Sequence, residues 1–401
     1  MIYVDESLPI AEKINLRAQS LKSQLKVLMI CLSHSWGGLE QVAAQDAADL
    51  GELGIDVRLL CLEDSPIHVR MKQAKGVAAI PLDVRPRDYF DMGLRSVIRG
   101  EILDGVNLIH THQTSLLGSI SPWLVSFPSV ALVASRHIMS DHRKKTFYHR
   151  LIYQRVDALV AMSEMLRQNI IGTHAINPTR VKLIHLGLDF EKFNTNRVDG
   201  LKQRLEWGAD EETLVIGLVG RIDPAKGQSV FLKAAAGLIK KIPIKLKFVL
   251  VGEQTLGGES NHLEELRAIV AQFRLEANVV FAGYQQNIPE IMSALDIFVM
   301  PSKQEAFGLV AIEAMAMACP VVISRGGSAR EIVGEEEYGL LVRPNDAFDL
   351  QSQLRVLIEN PELRRQMGEK AKAFVHSRYD KFNRVLGTLA LYDRCLKRRA
   401  Q

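Results

Sequence analysis

From Lys26 onward two patterns alternate along the chain. Short runs that are apolar at nearly every position give way to longer stretches with apolar residues at helical spacing. Lys26 to Ser33 is a run of the first kind, and Leu39 to Leu53 is a stretch of the second. Further strand runs are Asp56 to Leu62, Val77 to Pro81, Asn107 to His110, Ser129 to Ala134, Asp157 to Ala161 and Val181 to His185. A strand apolar on both faces needs cover on both faces, so the pattern predicts a parallel sheet between two layers of helices.

The same grammar restarts after a polar stretch, Asp189 to Asp210. Strand runs follow at Thr213 to Val219, Leu246 to Val251, Asn278 to Phe281, Asp296 to Met300, Pro320 to Ile323 and Gly339 to Val342, with helical stretches between them. The expectation is two doubly wound α/β halves, each opening with a strand and a glycine-bearing loop. Residues 26–195 form the first half and 196–377 the second. An extension, 1–25, precedes them, with a helix over Pro9 to Lys22 and no readable role. Residues 378–401 form a last long helix.

Composition fits this picture. The chain has 401 residues, 47% hydrophobic and 24% charged, with a formal net charge of +4. That length suits two or three domains with large cores. The small net charge, with no dense basic tract, argues against nucleic acid as a partner. Cys31, Cys61, Cys319 and Cys395 are far apart in sequence and fall in apolar runs. They are expected to be buried and reduced, which suits the cytoplasm. The uncharged stretch Gln113 to Ser135 is long enough to span a bilayer by count. Pro122, Pro128 and several serines divide it instead into a helix, Ser115 to Ser126, and a strand.

Candidate chemistry lies on the loops that follow strands. Glu305 and Glu313 stand eight residues apart, with Phe307, Gly308 and Leu309 between them. The pattern puts Glu305 on a strand-to-helix loop and Glu313 inside the helix. The N–H groups of Phe307, Gly308 and Leu309 open that helix and can receive phosphate or sugar oxygens. The plain alternative is a capped helix whose acids face solvent. Arg221 and Lys226 flank a tight turn bounded by Gly220 and Gly227, so two cations can converge on one dianionic group. Gly37 and Gly38 stand before the first long helix and permit close backbone approach. His110, His112 and His137 fall at the ends of first-half strands, where ligand crevices form. His110 and His112 are read as pointing to opposite faces, which keeps them from sharing a metal. No Asp-x-Asp motif and no Cys/His cluster of ligand spacing occurs, so no metal and no cofactor is expected. Met139 to Arg155 reads as a basic amphipathic helix. It packs on the sheet with its charges in water, or else rests on anionic lipid.

The stretch from Asp296 to Val322 resembles the Glu-x7-Glu signature of retaining glycosyltransferases of the GT-B fold, family 4. The resemblance extends over nearly the whole chain from Lys26. It implies two Rossmann-like domains facing across a cleft, with the last helix crossing back to the first. It implies that Arg221 and Lys226 hold the donor diphosphate. Glu313 would take the ribose, and Glu305 with the N–H groups after it would orient the sugar. Gly37 and Gly38 would face donor phosphate and acceptor, and His137 would stand near the donor sugar. The expected reaction moves a hexosyl unit from a nucleotide diphosphate sugar to a glycan or lipid-linked hydroxyl without a metal. A UDP-sugar is the first donor candidate and GDP-mannose the second. The implied place is the cytoplasm, with contact to an anionic membrane through 139–155 as a possibility the basic stretch raises. Two rivals share the architecture: a sugar-nucleotide 2-epimerase and a partner subunit that binds no donor.

Overall fold

The computed structural model describes residues 8–83, 91–254, 261–303 and 305–401. It divides into two compact units. One holds the chain up to Gly187 together with Lys381–Gln401, and the other is Leu188–Asp380.

The first unit carries a seven-stranded parallel sheet. Its strands are β1 (Lys26–Cys31), β2 (Asp56–Leu62), β3 (Val77–Leu82), β4 (Leu108–Thr111), β5 (Ala131–Arg136), β6 (Ala158–Ala161) and β7 (Val181–Leu183). They lie in the order β3-β2-β1-β4-β5-β6-β7, with the connection from β3 to β4 returning the chain to the other side of β1. Alternation along β1 explains its continuous apolar run. Val27, Met29 and Cys31 enter the core on one face. Leu28, Ile30 and Leu32 enter the core on the other. The helix Ile10–Lys22 buries Ile14, Ala18 and Leu21 in the first of these cores. The same core receives Val385, Leu389, Tyr392 and Cys395 from the last helix, Lys381–Ala400. Most of the 1–25 extension is therefore part of the sheet's cover; residues 1–7 lie outside the described residues.

The second unit has a six-stranded parallel sheet of β8 (Leu214–Val219), β9 (Leu246–Val251), β10 (Val279–Gly283), β11 (Ile297–Met300), β12 (Val321–Ser324) and β13 (Leu340–Val342). Its order is β10-β9-β8-β11-β12-β13, so β8, β11 and β12 are consecutive in the sheet.

Four expectations are corrected. Residues 188–195 pack with the second unit rather than the first. Leu188 N–H donates to the Tyr379 carbonyl at 2.7 Å, and Phe190 stacks on His376 with centroids 3.8 Å apart. The helix over Ser115 to Ser126 is broken into Thr114–Leu116, Leu117–Ile120 and Trp123–Ser126, because Pro122 cannot continue the ladder. Helix in 139–155 is confined to Phe147–Arg155, capped by the Thr146 hydroxyl. Lys144, ahead of that cap, bridges His174 instead. Finally, the rings of His110 and His112 stack at 4.5 Å. Residues two apart on an extended segment share a face.

All four cysteines are free and buried. Burial pushes the Cys61 thiol up to about 11 and Cys395 to about 12, and raises Cys31 and Cys319 further, so these are protonated, unreactive groups.

Candidate functional site

In the second unit, the loops at the carboxyl ends of β8, β11 and β12 lock together. Gly227, at φ +77°, begins the helix Gln228–Ile239, and a Cβ there would collide with the Pro301 carbonyl. Lys303 N–H donates to the Ala225 carbonyl at 2.9 Å. Gly327, at φ +59°, lies so close to Glu305 that a Cβ would overlap its carbonyl. Ser328 seals the same loop: its N–H donates to Glu305 O at 2.9 Å and its hydroxyl to Phe307 O at 2.7 Å. Both glycine positions thus need a left-handed backbone and an absent side chain. The product of this packing is a direct pair, Lys226 Nζ to Glu305 Oε2 at 2.8 Å.

Arg221 stands beside this pair in sequence but is separately held. Its exposed guanidinium meets Asp223 at 3.2 Å, while its carbonyl accepts from Gln228 at 2.8 Å. The Phe307 side chain is buried, edge-on to Tyr379 at 5.7 Å, so this residue can offer a ligand only its backbone. Gly308, at φ +81°, begins the helix Leu309–Ala316. Among the described residues, the N–H groups of Gly308 and Leu309 meet no backbone carbonyl. Glu313 lies on that helix, half-buried, with no ion pair or hydrogen bond among the described residues. Loss of solvent around it pushes its carboxyl up to about 8. A carboxyl kept neutral and unpartnered is the second distinctive feature of the site.

In the first unit, Gly37 caps the helix Gly38–Glu52, and the buried Glu40 carboxylate reaches back to the Gly37 N–H at 2.9 Å. Space beside Gly38 is open. His137 follows β5, half-buried, with Nε2 3.3 Å from His112 Nδ1. Desolvation first, then the Arg384 charge, pushes His137 down to about 3, so the ring is neutral. Among the described residues, no three His, Cys, Asp or Glu side chains gather as metal ligands would.

Supporting residues escaped the sequence reading. Asp223 and Ser328 are polar loop residues whose partners are distant or locally ambiguous. Gly327 carried the better signal, since a Gly-Gly-Ser run after an apolar strand marks a tight turn. Asp46, Arg384 and Tyr392 sit in ordinary helical stretches and gave none.

Two parallel α/β units, with ion-paired loops and an unpartnered acid at the strand ends of one, match proteins that transfer sugars. Residues 36–192 match the family model described as Glycosyltransferase Family 4. Residues 201–374 match the model described as Glycosyl transferases group 1. A D-inositol 3-phosphate glycosyltransferase of Acidothermus cellulolyticus is 27% identical over 90% of this chain and 87% of its own. The UDP-Gal:alpha-D-GlcNAc-diphosphoundecaprenol alpha-1,3-galactosyltransferase of Escherichia coli is 25% identical over 82% and 86%. In fold the chain is similar to a glycosyltransferase of Rickettsia africae, with TM-score 0.82, 18% identity and 93% and 99% coverage. It is likewise similar to Anabaena HepE, seen in complex with UDP-glucose, with TM-score 0.78, 23% identity and 92% and 98% coverage. The protein is a glycosyltransferase of the GT-B fold. It belongs to glycosyltransferase family 4.

Proposed function

We propose that the protein transfers a hexosyl unit from a nucleotide diphosphate sugar to a hydroxyl of a glycan or lipid-linked acceptor, retaining configuration and needing no metal. The carrying observation is the Lys226–Glu305 pair at 2.8 Å. An ammonium already poised on a loop carboxylate can turn to a diphosphate while the carboxylate takes sugar hydroxyls. Arg221, whose guanidinium among the described residues meets only Asp223 two residues away, can add a second contact. Charge growing on the leaving diphosphate then meets fixed cations and the open N–H groups of Gly308 and Leu309. A ribose diol donating to Glu313 would satisfy a desolvated acid that has no partner among the described residues. We place the leaving phosphate, rather than a protein carboxylate, as the group that activates the acceptor on the departing face. The names of the relatives favour a UDP-sugar, with GDP-mannose second, and a phosphate-bearing acceptor.

The test is a melting-temperature screen of nucleotide sugars, followed by transfer assays with and without EDTA and anomeric analysis of the product. A tight donor raises the melting temperature by mass action. No shift and no nucleotide release with any UDP- or GDP-sugar overturns the proposal. An epimer formed without acceptor favours the epimerase rival.

A specific observation also supports membrane contact. Phe147 and Leu151, one turn apart, are 76% and 49% exposed, and Ile138 is 69% exposed. Exposed Arg143, Lys145 and Arg150 accompany them. Arg155 does not: it is buried, donating to the carbonyls of Leu124, Phe127 and Val130. Exposed apolar side chains among cations suit a surface of anionic lipid. No helix among the described residues is long and apolar enough to cross a membrane.

A further inference from the structure

A buried polar network stands behind His137, outside the donor-site residues considered so far. Asp46, on the helix Gly38–Glu52, holds Arg384 of the last helix through two hydrogen bonds of 2.6 and 2.5 Å. Arg384 also donates to the His185 carbonyl at 3.3 Å. Asp46 Oδ2 faces His112 Nε2 at 3.8 Å. That is too long for a hydrogen bond, and among the described residues His112 Nε2 has no hydrogen-bond partner. It is still close enough for the carboxylate's field to favour a proton on that nitrogen. His112 Nδ1 then meets His137 Nε2 at 3.3 Å. Beneath His112, His110 is fixed at both nitrogens, by the Tyr392 hydroxyl at 2.6 Å and the Ser135 hydroxyl at 2.8 Å. Arg384 and Tyr392 stand eight residues apart on one helix, so both supports come from the same face.

The geometry points to Asp46, Arg384 and His112 as positioning residues that set the tautomer of His137. With the proton of His112 on Nε2, facing Asp46, its Nδ1 is a bare lone pair. His137 must then supply the hydrogen from Nε2, which leaves His137 Nδ1 as an acceptor. The opposite arrangement would turn a bare His112 Nε2 toward the Asp46 carboxylate, lone pair against negative charge. Burial keeps the whole set neutral, pushing His110 and His112 well down and His137 with them, so a tautomer is defined. An Nδ1 acceptor suits a hydroxyl donor. This extends the reading of His137 as a group beside the donor sugar and rests on it: a sugar hydroxyl would donate to His137 Nδ1.

The decisive measurement is nitrogen-15 NMR of the histidine rings in the full chain, which distinguishes the two neutral tautomers. The expected state of His137 is protonated Nε2 and bare Nδ1; protonated Nδ1 overturns the proposal, and this arm needs no variant and no activity. In His112→Phe, which removes the acceptor, the fixed tautomer should give way to a mixture. An unchanged His137 spectrum in that folded variant also overturns it. Turnover should fall roughly ten- to hundredfold in His112→Phe, as for a displaced site group. His112→Asn, which keeps a polar atom near the Nδ1 position, should recover most of the loss; equal loss in both counts against positioning. His137→Ala separates the two ideas. Unchanged kinetics there refutes the donor-sugar role of His137, while the tautomer result stands by itself.

Discussion

Glu313 gives the sharpest test of the proposed donor site, because burial has already fixed the sign of its response. Its carboxyl stands near 8 in the folded protein, against an ordinary 4.5. At pH 7 it is about nine-tenths protonated. A ribose diol donates two hydrogen bonds, and a carboxylate accepts them better than the acid does. Donor binding should therefore expel a proton, approaching about 0.9 per site at pH 7 if the bound carboxyl falls below pH ~6. Donor affinity should rise with pH between about 6 and 8, by up to about tenfold per unit, and level off above. Stability runs the other way. An acid whose folded pKa is raised costs nothing below its unfolded value and most above its folded one. The protein should thus lose stability from about pH 4.5 to about 8. The full shift corresponds to ~5 kcal/mol, and since the side chain is only half-buried, about 2–5 kcal/mol is expected. Glu313→Gln removes the titration. It should gain stability at pH 8 but not at pH 4, weaken donor binding more than turnover, and abolish proton release. Calorimetry with a UDP-sugar in buffers of different ionisation enthalpy reads the proton directly. Binding without buffer dependence in the wild type, or with the same release in Glu313→Gln, would refute the reasoning.

Other outcomes follow from the loops and the surface. Lys226→Ala should cost roughly 2–4 kcal/mol of transition-state stabilisation, read as kcat/KM, and should combine less than additively with Arg221→Ala if both grip one diphosphate. Gly327→Ala should lose about 1–3 kcal/mol or more and lower turnover as well, because the new Cβ can be placed only by moving Glu305; melting and kinetics on one preparation check both. Phe147→Glu with Leu151→Glu should abolish sedimentation with anionic vesicles at unchanged melting temperature. Retained binding would assign the exposed apolar residues to something other than lipid.

Legibility in the sequence followed the range of the interaction. β2 and β9 could be bounded to the residue, since a parallel strand covered on both faces leaves a mostly apolar run, interrupted here by Arg58 in one and Lys247 in the other. Glu305 and Gly308 could be placed on a strand-to-helix loop because each is set by its neighbours. What binds Glu305 to Lys226 was not legible, since those residues are joined only by the adjacency of β8 and β11. The stacking of His110 on His112 follows from strand alternation, and the opposite expectation misapplied the two-residue period. The helix expected over Met139 to Arg155 was overextended because cations among apolar residues mimic helical periodicity. The burial of Arg155 depended on three carbonyls of a distant turn. Asp46 and Arg384 were the least visible, being members of helices separated by most of the chain.

The membership of Lys381–Gln401 in the first unit has a consequence for biosynthesis. The first core is completed by Val385, Leu389, Tyr392 and Cys395, and these emerge from the ribosome only after all of Leu188–Asp380 has been made. At ordinary elongation rates that interval is on the order of ten seconds or more. Throughout it, the nascent first unit carries an uncovered apolar face, and Asp46 lacks the Arg384 guanidinium. The second unit, continuous in sequence, is free to fold meanwhile. Maturation should therefore run in reverse of chain order for the two cores, and a chain stopped at Asp380 should depend on chaperones that hold exposed apolar surface.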